Sequence, residues 1–210
     1  MSRARLVLLI AVLFAVLPRA EAAELDGLGS SLKNGGYVIV FRHGATDDSQ
    51  KDVFPFKFDD MSAQRQLNEK GRNTAREIGS ALKKLGVPIG DVYTSRLNRA
   101  VETGKLIGGK GVSPTDALTD SSSGSASGMA NPDGKNAKAG RAVRELVDAA
   151  PKAGSNNLAI THKTNVTDAF GIEFADIRES EALIYKTSAS GPAVFVMRVQ
   201  AGQWVTLAGS

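Results

Sequence analysis

One apolar run, residues 37–41 (YVIVF), constrains the fold of this chain most. Five consecutive aromatic or β-branched residues are typical of a strand buried on both faces. Arg42 and His43 follow directly, and open α/β sheets bind their ligands at the carboxyl ends of such strands. Gly44 allows a tight turn after them. Taken alone, an Arg-His pair in this place is most simply a polar turn, so the rest of the chain must decide its role.

The segments that follow alternate between helix and strand patterns. Apolar residues recur at helical spacing in residues 69–85, and Gly86 follows as a stop signal. Residues 88–95 predict a strand and residues 97–107 a second helix. This order predicts an α/β fold with a parallel sheet.

The remaining elements are shorter. Residues 157–162 (NLAITH) repeat the opening design, an apolar strand that ends at a histidine. Helices are predicted over residues 25–32, 141–150 and 165–170, and strands over residues 181–186 and 193–199. A hairpin at residues 200–203 is expected to lead into a last strand at residues 204–207.

The first 22 residues have the features of a secretory signal peptide. Arg3 and Arg5 precede an apolar run over residues 6–17, and the small residues Ala20 and Ala22 form a cleavage site. The run is short for a transmembrane helix, although an uncleaved anchor is the alternative. We therefore expect one mature domain over residues 23–210, located in the periplasm or secreted, with no stable membrane insertion.

Composition narrows the function classes. The chain has no cysteine, so disulfides and thiolate chemistry are excluded. Residues 1–22 hold three basic and one acidic side chain, and the rest keeps 23 basic and 21 acidic residues, a net charge of +2. That balance does not favour a nucleic-acid partner. Residues 121–140 are rich in glycine and serine and predict a flexible excursion, either a surface loop or a lid.

Both histidines of the chain end short apolar strands. Carboxyl ends of parallel strands share one edge of a sheet, so His43 and His162 are expected to meet there. Two histidines do not make a zinc site, and no metal or cofactor is predicted. Arg42 adjoins the first histidine and Arg99 lies just inside the helix after the second strand. Guanidinium groups and a helix N-terminus suit phosphate, and a histidine among them suits phosphoryl transfer to nitrogen.

With these residues in place, the chain resembles the histidine phosphatase superfamily, also called phosphoglycerate mutase-like, as an exported bacterial-type member. Three segments carry the resemblance: residues 38–46 (VIVFRHGAT), 94–103 (TSRLNRAVET) and 158–162 (LAITH). Residues 66–72 (QLNEKGR) resemble the start of the family's first long helix. The resemblance implies a three-layer α/β/α sandwich with a mostly parallel central sheet.

The resemblance also implies a role for each matching residue. His43 would be the nucleophile that forms a phosphohistidine, and His162 would stabilise charge on the transferred phosphate. Arg42 and Arg99 would bind that phosphate, with a hydroxyl contact from Thr46. Lys163 follows His162 where many relatives have glycine, which leaves the natural substrate open.

The proton donor is an acidic residue after the second helix in many members of the family. Asp120 is the choice here, and Asp116 is the nearest rival. Glu179 and Glu181 are further candidates. If none of them donates, substrates with good leaving groups are favoured.

The leading hypothesis is an exported, cofactor-independent phosphomonoesterase that acts on a small phosphorylated substrate. The alternative is a catalytically weak or inactive phosphate- or ligand-binding module of the same fold. A surface interaction protein that uses residues 121–140 has only composition behind it. The sequence leaves the oligomeric state open.

Overall fold

A computed structural model describes residue 25 and residues 27–109, 111–119 and 136–209. The predicted signal peptide and Asp120 lie outside these residues, as does most of the glycine- and serine-rich segment. No helix within the described ranges is long and apolar enough to span a bilayer.

The centre of the molecule is a six-stranded sheet with the strand order β3-β2-β4-β1-β5-β6. Its strands are β1 (Tyr37–Arg42), β2 (Ile89–Thr94), β3 (Ser113–Pro114), β4 (Asn156–Thr161), β5 (Ala182–Lys186) and β6 (Val194–Val199). β1 pairs with β4 in parallel, and β2 pairs in parallel with both β3 and β4. β5 is antiparallel to both β1 and β6, so among the described strands it alone runs opposite to the others. The predicted α/β class with a mostly parallel sheet is confirmed.

Helices cover both faces of the sheet. They are α1 (27–33), α2 (Glu69–Lys84), α3 (Asn98–Gly108), α4 (Ala137–Asp148), α5 (Lys163–Phe170) and α6 (Ala201–Gly209). α1, α2, α3 and α6 pack on the face that carries Ile39 and Phe41. α4 and α5 pack on the face that carries Val38 and Val40. β1 is apolar on both faces because each face meets a helix layer, which is why its sequence shows no alternation.

Residues 201–209 form helix α6, so the predicted hairpin and strand at residues 200–207 are wrong. Trp204 and Leu207, three residues apart, are both buried and lie on one side of the helix. The Trp204 ring packs 6.1 Å from the Phe41 ring, measured between centroids. The segment is too short for its sequence to distinguish a helix from a strand, and packing against Phe41 and α2 decides the outcome.

α4 begins at Ala137, so residues 137–140 of the predicted flexible excursion are helical. Gly140 lets this first turn of α4 pack closely on α5. A Cβ at this position would lie 2.3 Å from the carbonyl oxygen of Asp168. This glycine therefore serves helix packing and is not a loop residue.

Candidate active site

Three parallel strands place their carboxyl ends side by side, and the two histidines lie at this edge. His43 follows β1 and its backbone N–H donates to the Thr161 carbonyl at the end of β4, at 3.0 Å. His162 follows β4 directly. The two rings are 5.1 Å apart between centroids and inclined at 61°. Both side chains are buried, so the structure brings together the pair expected from the sequence.

The hydrogen bond of His43 fixes which ring nitrogen carries the proton. Nδ1 lies 2.8 Å from the Gly44 carbonyl oxygen. A carbonyl oxygen only accepts, so Nδ1 of the neutral ring holds the proton and Nε2 keeps a lone pair. A ring held in this way presents Nε2 as a nucleophile.

Burial lowers the pKa of His43 well below its ordinary value of 6.5, and the positive charge of Arg99 lowers that pKa further. Burial and Arg99, in the same order, lower the pKa of His162. Both rings are therefore neutral at neutral pH in the ligand-free site. An anion bound among these groups would offset the arginine charges and raise both pKa values.

His162 is held by a serine that the sequence analysis did not single out. Its Nε2 lies 2.8 Å from Oγ of Ser95, the residue that follows β2. The same Oγ accepts a hydrogen bond from the Leu97 N–H at 3.2 Å. Because Ser95 engages Nε2, Nδ1 is the nitrogen with which His162 can contact a ligand. The sequence clue to this contact is the Thr-Ser dipeptide at the end of β2, which places a hydroxyl at the same edge of the sheet as the histidines.

The positive charges of Arg42 and Arg99 both lower the pKa values of His43 and His162. Nη1 of Arg42 donates to the Ile177 carbonyl at 2.9 Å, and Nη2 lies 3.5 Å from Glu179. The Nε of Arg42 is buried and has no hydrogen-bond partner among the described residues. The Arg99 side chain is only 2% exposed and its Nη1 donates to Asp52 at 2.9 Å.

Arg65 is a third arginine of the site, and the sequence analysis missed it. Its charge lowers the pKa of both histidines. Its Nη1 lies 3.7 Å from Asp48, and its Nε is buried without a partner in the described part of the chain. The sequence clue to Arg65 is its position directly before residues 66–72. Leu67 in that segment forms an isolated β-bridge with Thr46, which brings the segment next to the histidine turn.

Thr46 lies in the turn after the nucleophile candidate. Its hydroxyl is buried and has no hydrogen-bond partner within the described ranges, which suits a ligand contact. The turn rests against the start of α2, where Asn68 caps the helix and donates to the Thr46 carbonyl. Gly44 meets Gly71 of α2 there, and a Cβ on Gly44 would lie 3.0 Å from the Gly71 carbonyl oxygen. Close approach explains this glycine.

The structure separates the acidic candidates. Asp116 is exposed and pairs with Arg96 at 3.1 Å. Glu179 pairs with Arg42, as described above. Glu181 is buried and accepts from the Arg178 N–H and from Nε of Arg198, each at 2.7 Å.

Each of these three carboxylates thus has a basic partner, and Asp120 lies outside the described residues. Lys163 is the exposed first residue of α5. Across the described ranges, no three His, Asp or Glu side chains lie together as metal ligands would.

Comparison with known proteins identifies relatives of this architecture. The profile of the histidine phosphatase superfamily (branch 1) matches residues 38–164, more than half of the chain. A 2,3-bisphosphoglycerate-dependent phosphoglycerate mutase from Parvibaculum lavamentivorans is 34% identical over 70 residues. That match spans 33% of this chain and 31% of the relative, so the aligned stretch is about a third of the curated protein.

Solved structures share the fold over most of the chain. The protein histidine phosphatase SixA, complexed with tungstate, aligns with a TM-score of 0.54 and 19% identity, covering 79% of this chain and 97% of that one. A phosphoserine phosphatase mutant from Entamoeba histolytica aligns with a TM-score of 0.53 and 14% identity, covering 80% and 98%. At these identities the likeness supports the fold.

Proposed function

Because the chain belongs to the histidine phosphatase superfamily, whose members are phosphatases or mutases, we propose that it is a phosphomonoesterase that works through a phosphohistidine on His43. The single observation that carries the proposal is the hydrogen bond from Nδ1 of His43 to the Gly44 carbonyl. It leaves Nε2 with a lone pair, in a ring whose pKa three arginines lower and whose centroid lies 5.1 Å from that of His162.

The proposed reaction has two steps. Nε2 of His43 attacks phosphorus, the P–O bond to the leaving group breaks, and the leaving oxygen takes a proton. Water then attacks phosphorus and gives a proton back to the group that protonated the leaving oxygen, the N–P bond breaks, and inorganic phosphate departs. Arg42, Arg65 and Arg99 stabilise the phosphoryl oxygens in both steps, because fixed guanidinium groups match the charge that these oxygens carry. His162 contributes through Nδ1, and Thr46 through its hydroxyl.

We propose Asp120 as the proton donor to the leaving oxygen. Asp116, Glu179 and Glu181 are each engaged by an arginine side chain or by a backbone donor. Asp120 directly follows Thr119, whose carbonyl accepts from Nδ2 of Asn165, three residues after His162. The residue before Asp120 is thus bonded to α5, the helix that begins directly after His162.

The same engagement of the three carboxylates supports one competing function, a phosphate-binding module with little or no turnover. Without a donor, only esters with good leaving groups would react. We further propose that residues 1–22 direct export and that the mature protein acts in the periplasm or outside the cell.

Turnover of para-nitrophenyl phosphate tests the function. Purified mature protein should hydrolyse it, His43→Asn should reduce the rate by at least about a thousandfold, and an acid-labile phosphoenzyme should form only with His43 present. Asp91→Asn, a surface change at a carboxylate that pairs with Lys152, serves as control. Equal low turnover in wild type and His43→Asn, with orthophosphate still bound, would establish the binding module instead.

The donor is tested by leaving group. Asp120→Asn should slow an alkyl phosphate about a hundredfold and para-nitrophenyl phosphate much less, because the nitrophenolate needs little protonation. Asp116→Asn should leave both rates close to those of the wild type. Equal effects of the two substitutions would show that the assignment to Asp120 is wrong.

A further inference from the structure

Asp52 lies in the segment between β1 and α2 and contacts two arginines of the proposed phosphate site, Arg65 and Arg99. Its Oδ1 accepts a hydrogen bond from Nη1 of Arg99 at 2.9 Å and another from the backbone N–H of Arg65, also at 2.9 Å. The Arg99 side chain is 2% exposed, whereas that of Asp52 is 22% exposed. One carboxylate oxygen thus joins two residues of the proposed phosphate site.

Two glutamines of the same segment form hydrogen bonds with the N-terminal end of α3. The helix has no side-chain cap of its own at Leu97. Gln64, which is fully buried, accepts from the Asn98 N–H at 2.9 Å, and Gln66 accepts from the Asn98 side chain. Residues 64–66 therefore satisfy the start of α3 from outside the helix, one residue before Arg99.

A buried guanidinium is costly unless a carboxylate pairs with it and fixes its direction. The guanidinium is planar and rigid, so a carboxylate that holds one terminal nitrogen also sets the direction of the remaining N–H groups. Both donors to Oδ1 belong to residues of the proposed phosphate site, so Asp52 is placed to hold Arg99 in a fixed direction.

We infer that Asp52 is a positioning residue of the phosphate site. Its carboxylate orients Arg99 toward the bound phosphoryl group and ties Arg65 to the same point. The inference rests on the proposed function, because that function assigns Arg65 and Arg99 to phosphate binding. Asp52 acts through these two arginines and does not itself contact the substrate.

Orthophosphate binding, measured by titration calorimetry, tests the inference without turnover. Asp52→Ala should weaken binding about tenfold, because one charge-assisted hydrogen bond that holds Arg99 is lost. It should lower kcat/KM about a hundredfold, mostly through kcat, since a displaced arginine serves the transition state worse than the ground state. Asp52→Asn keeps an oxygen that can accept both hydrogen bonds but lacks the negative charge, so it should recover part of the loss.

Asp59→Asn is the matched control, because it removes an exposed carboxylate from the same segment. It should bind orthophosphate as the wild type does. Thermal unfolding of each variant separates a local effect from misfolding, and Asp52→Asn keeps the test open if Asp52→Ala is unstable.

Binding by Asp52→Ala within twofold of the wild type would overturn the inference, as would an Asp52→Asn variant as impaired as Asp52→Ala. If the wild type binds orthophosphate but hydrolyses no ester, the proposed function fails. The binding series would still decide the role of Asp52 in that case.

Discussion

Both histidines are buried among positive charges. The charges of Arg42, Arg65 and Arg99 lower the pKa of His43, and the His162 ring lies 5.1 Å from the His43 ring between centroids. In the proposed reaction, a neutral imidazole with its Nδ1 proton fixed attacks phosphorus at neutral pH without first losing a proton. The site is therefore prepared for an anion before one binds.

Stability should depend on pH through these two residues. Their pKa values are lower in the folded than in the unfolded chain, so the unfolded chain binds more protons below about pH 6.5. The free energy of unfolding should be fully retained above that pH and should fall by up to about 2.7 kcal/mol per pH unit as the medium becomes more acidic.

Urea unfolding between pH 7.5 and 5.5 in a phosphate-free buffer measures this slope. A double variant, His43→Asn with His162→Asn, should show a much flatter profile over the same range. An unchanged slope in the double variant would mean that other groups cause the pH dependence.

At the scale of elements, the position of α2 sets the shape of the histidine turn. The helix begins where Asn68 accepts from the Gly71 N–H at 2.9 Å, while the Asn68 side-chain amide reaches back to Thr46. Gly71 lies directly against Ala45. A Cβ at Gly71 would lie 2.2 Å from the Ala45 carbonyl oxygen, a backbone atom that cannot move aside cheaply.

Gly71→Ala should therefore push the turn away from α2. We expect a loss of about 3 kcal/mol in the free energy of unfolding, together with a fall in phosphatase activity, because residues 43–46 move with the turn. Gly202→Ala, on α6 where an added Cβ meets no atom within 4 Å, is the control and should be neutral or slightly stabilising. Urea unfolding measures the free energy of unfolding of both variants. A Gly71→Ala protein as stable as the wild type would contradict the packing argument.

At the scale of the whole molecule, the order of the strands creates the site. β4 lies between β1 and β2, so segments far apart in the chain end beside one another. His43, Ser95 and His162 each follow one of these strands. The described helices cover both faces of the sheet but not the carboxyl ends of these strands, which is where open α/β folds bind their ligands.

Export, as proposed, would remove residues 1–22 from the whole chain. When the full chain is expressed in a bacterium, the periplasmic form should begin at Ala23, as N-terminal sequencing or mass spectrometry would show. Ala22→Leu should block processing, because the cleavage site requires a small residue. A full-length wild-type chain found only in the cytoplasm would contradict the proposal.

Sequence pattern was enough to predict the α/β class, β1, and the meeting of both histidines at one edge of the sheet. These features depend on local composition and on the rule that parallel strands end at one edge. Other features became visible only in the folded chain: the effect of Arg65 on the histidines, Ser95 on His162, Asp52 on Arg99, and the helical form of residues 201–209. Each depends on contacts between residues distant in the chain, which local pattern alone does not specify.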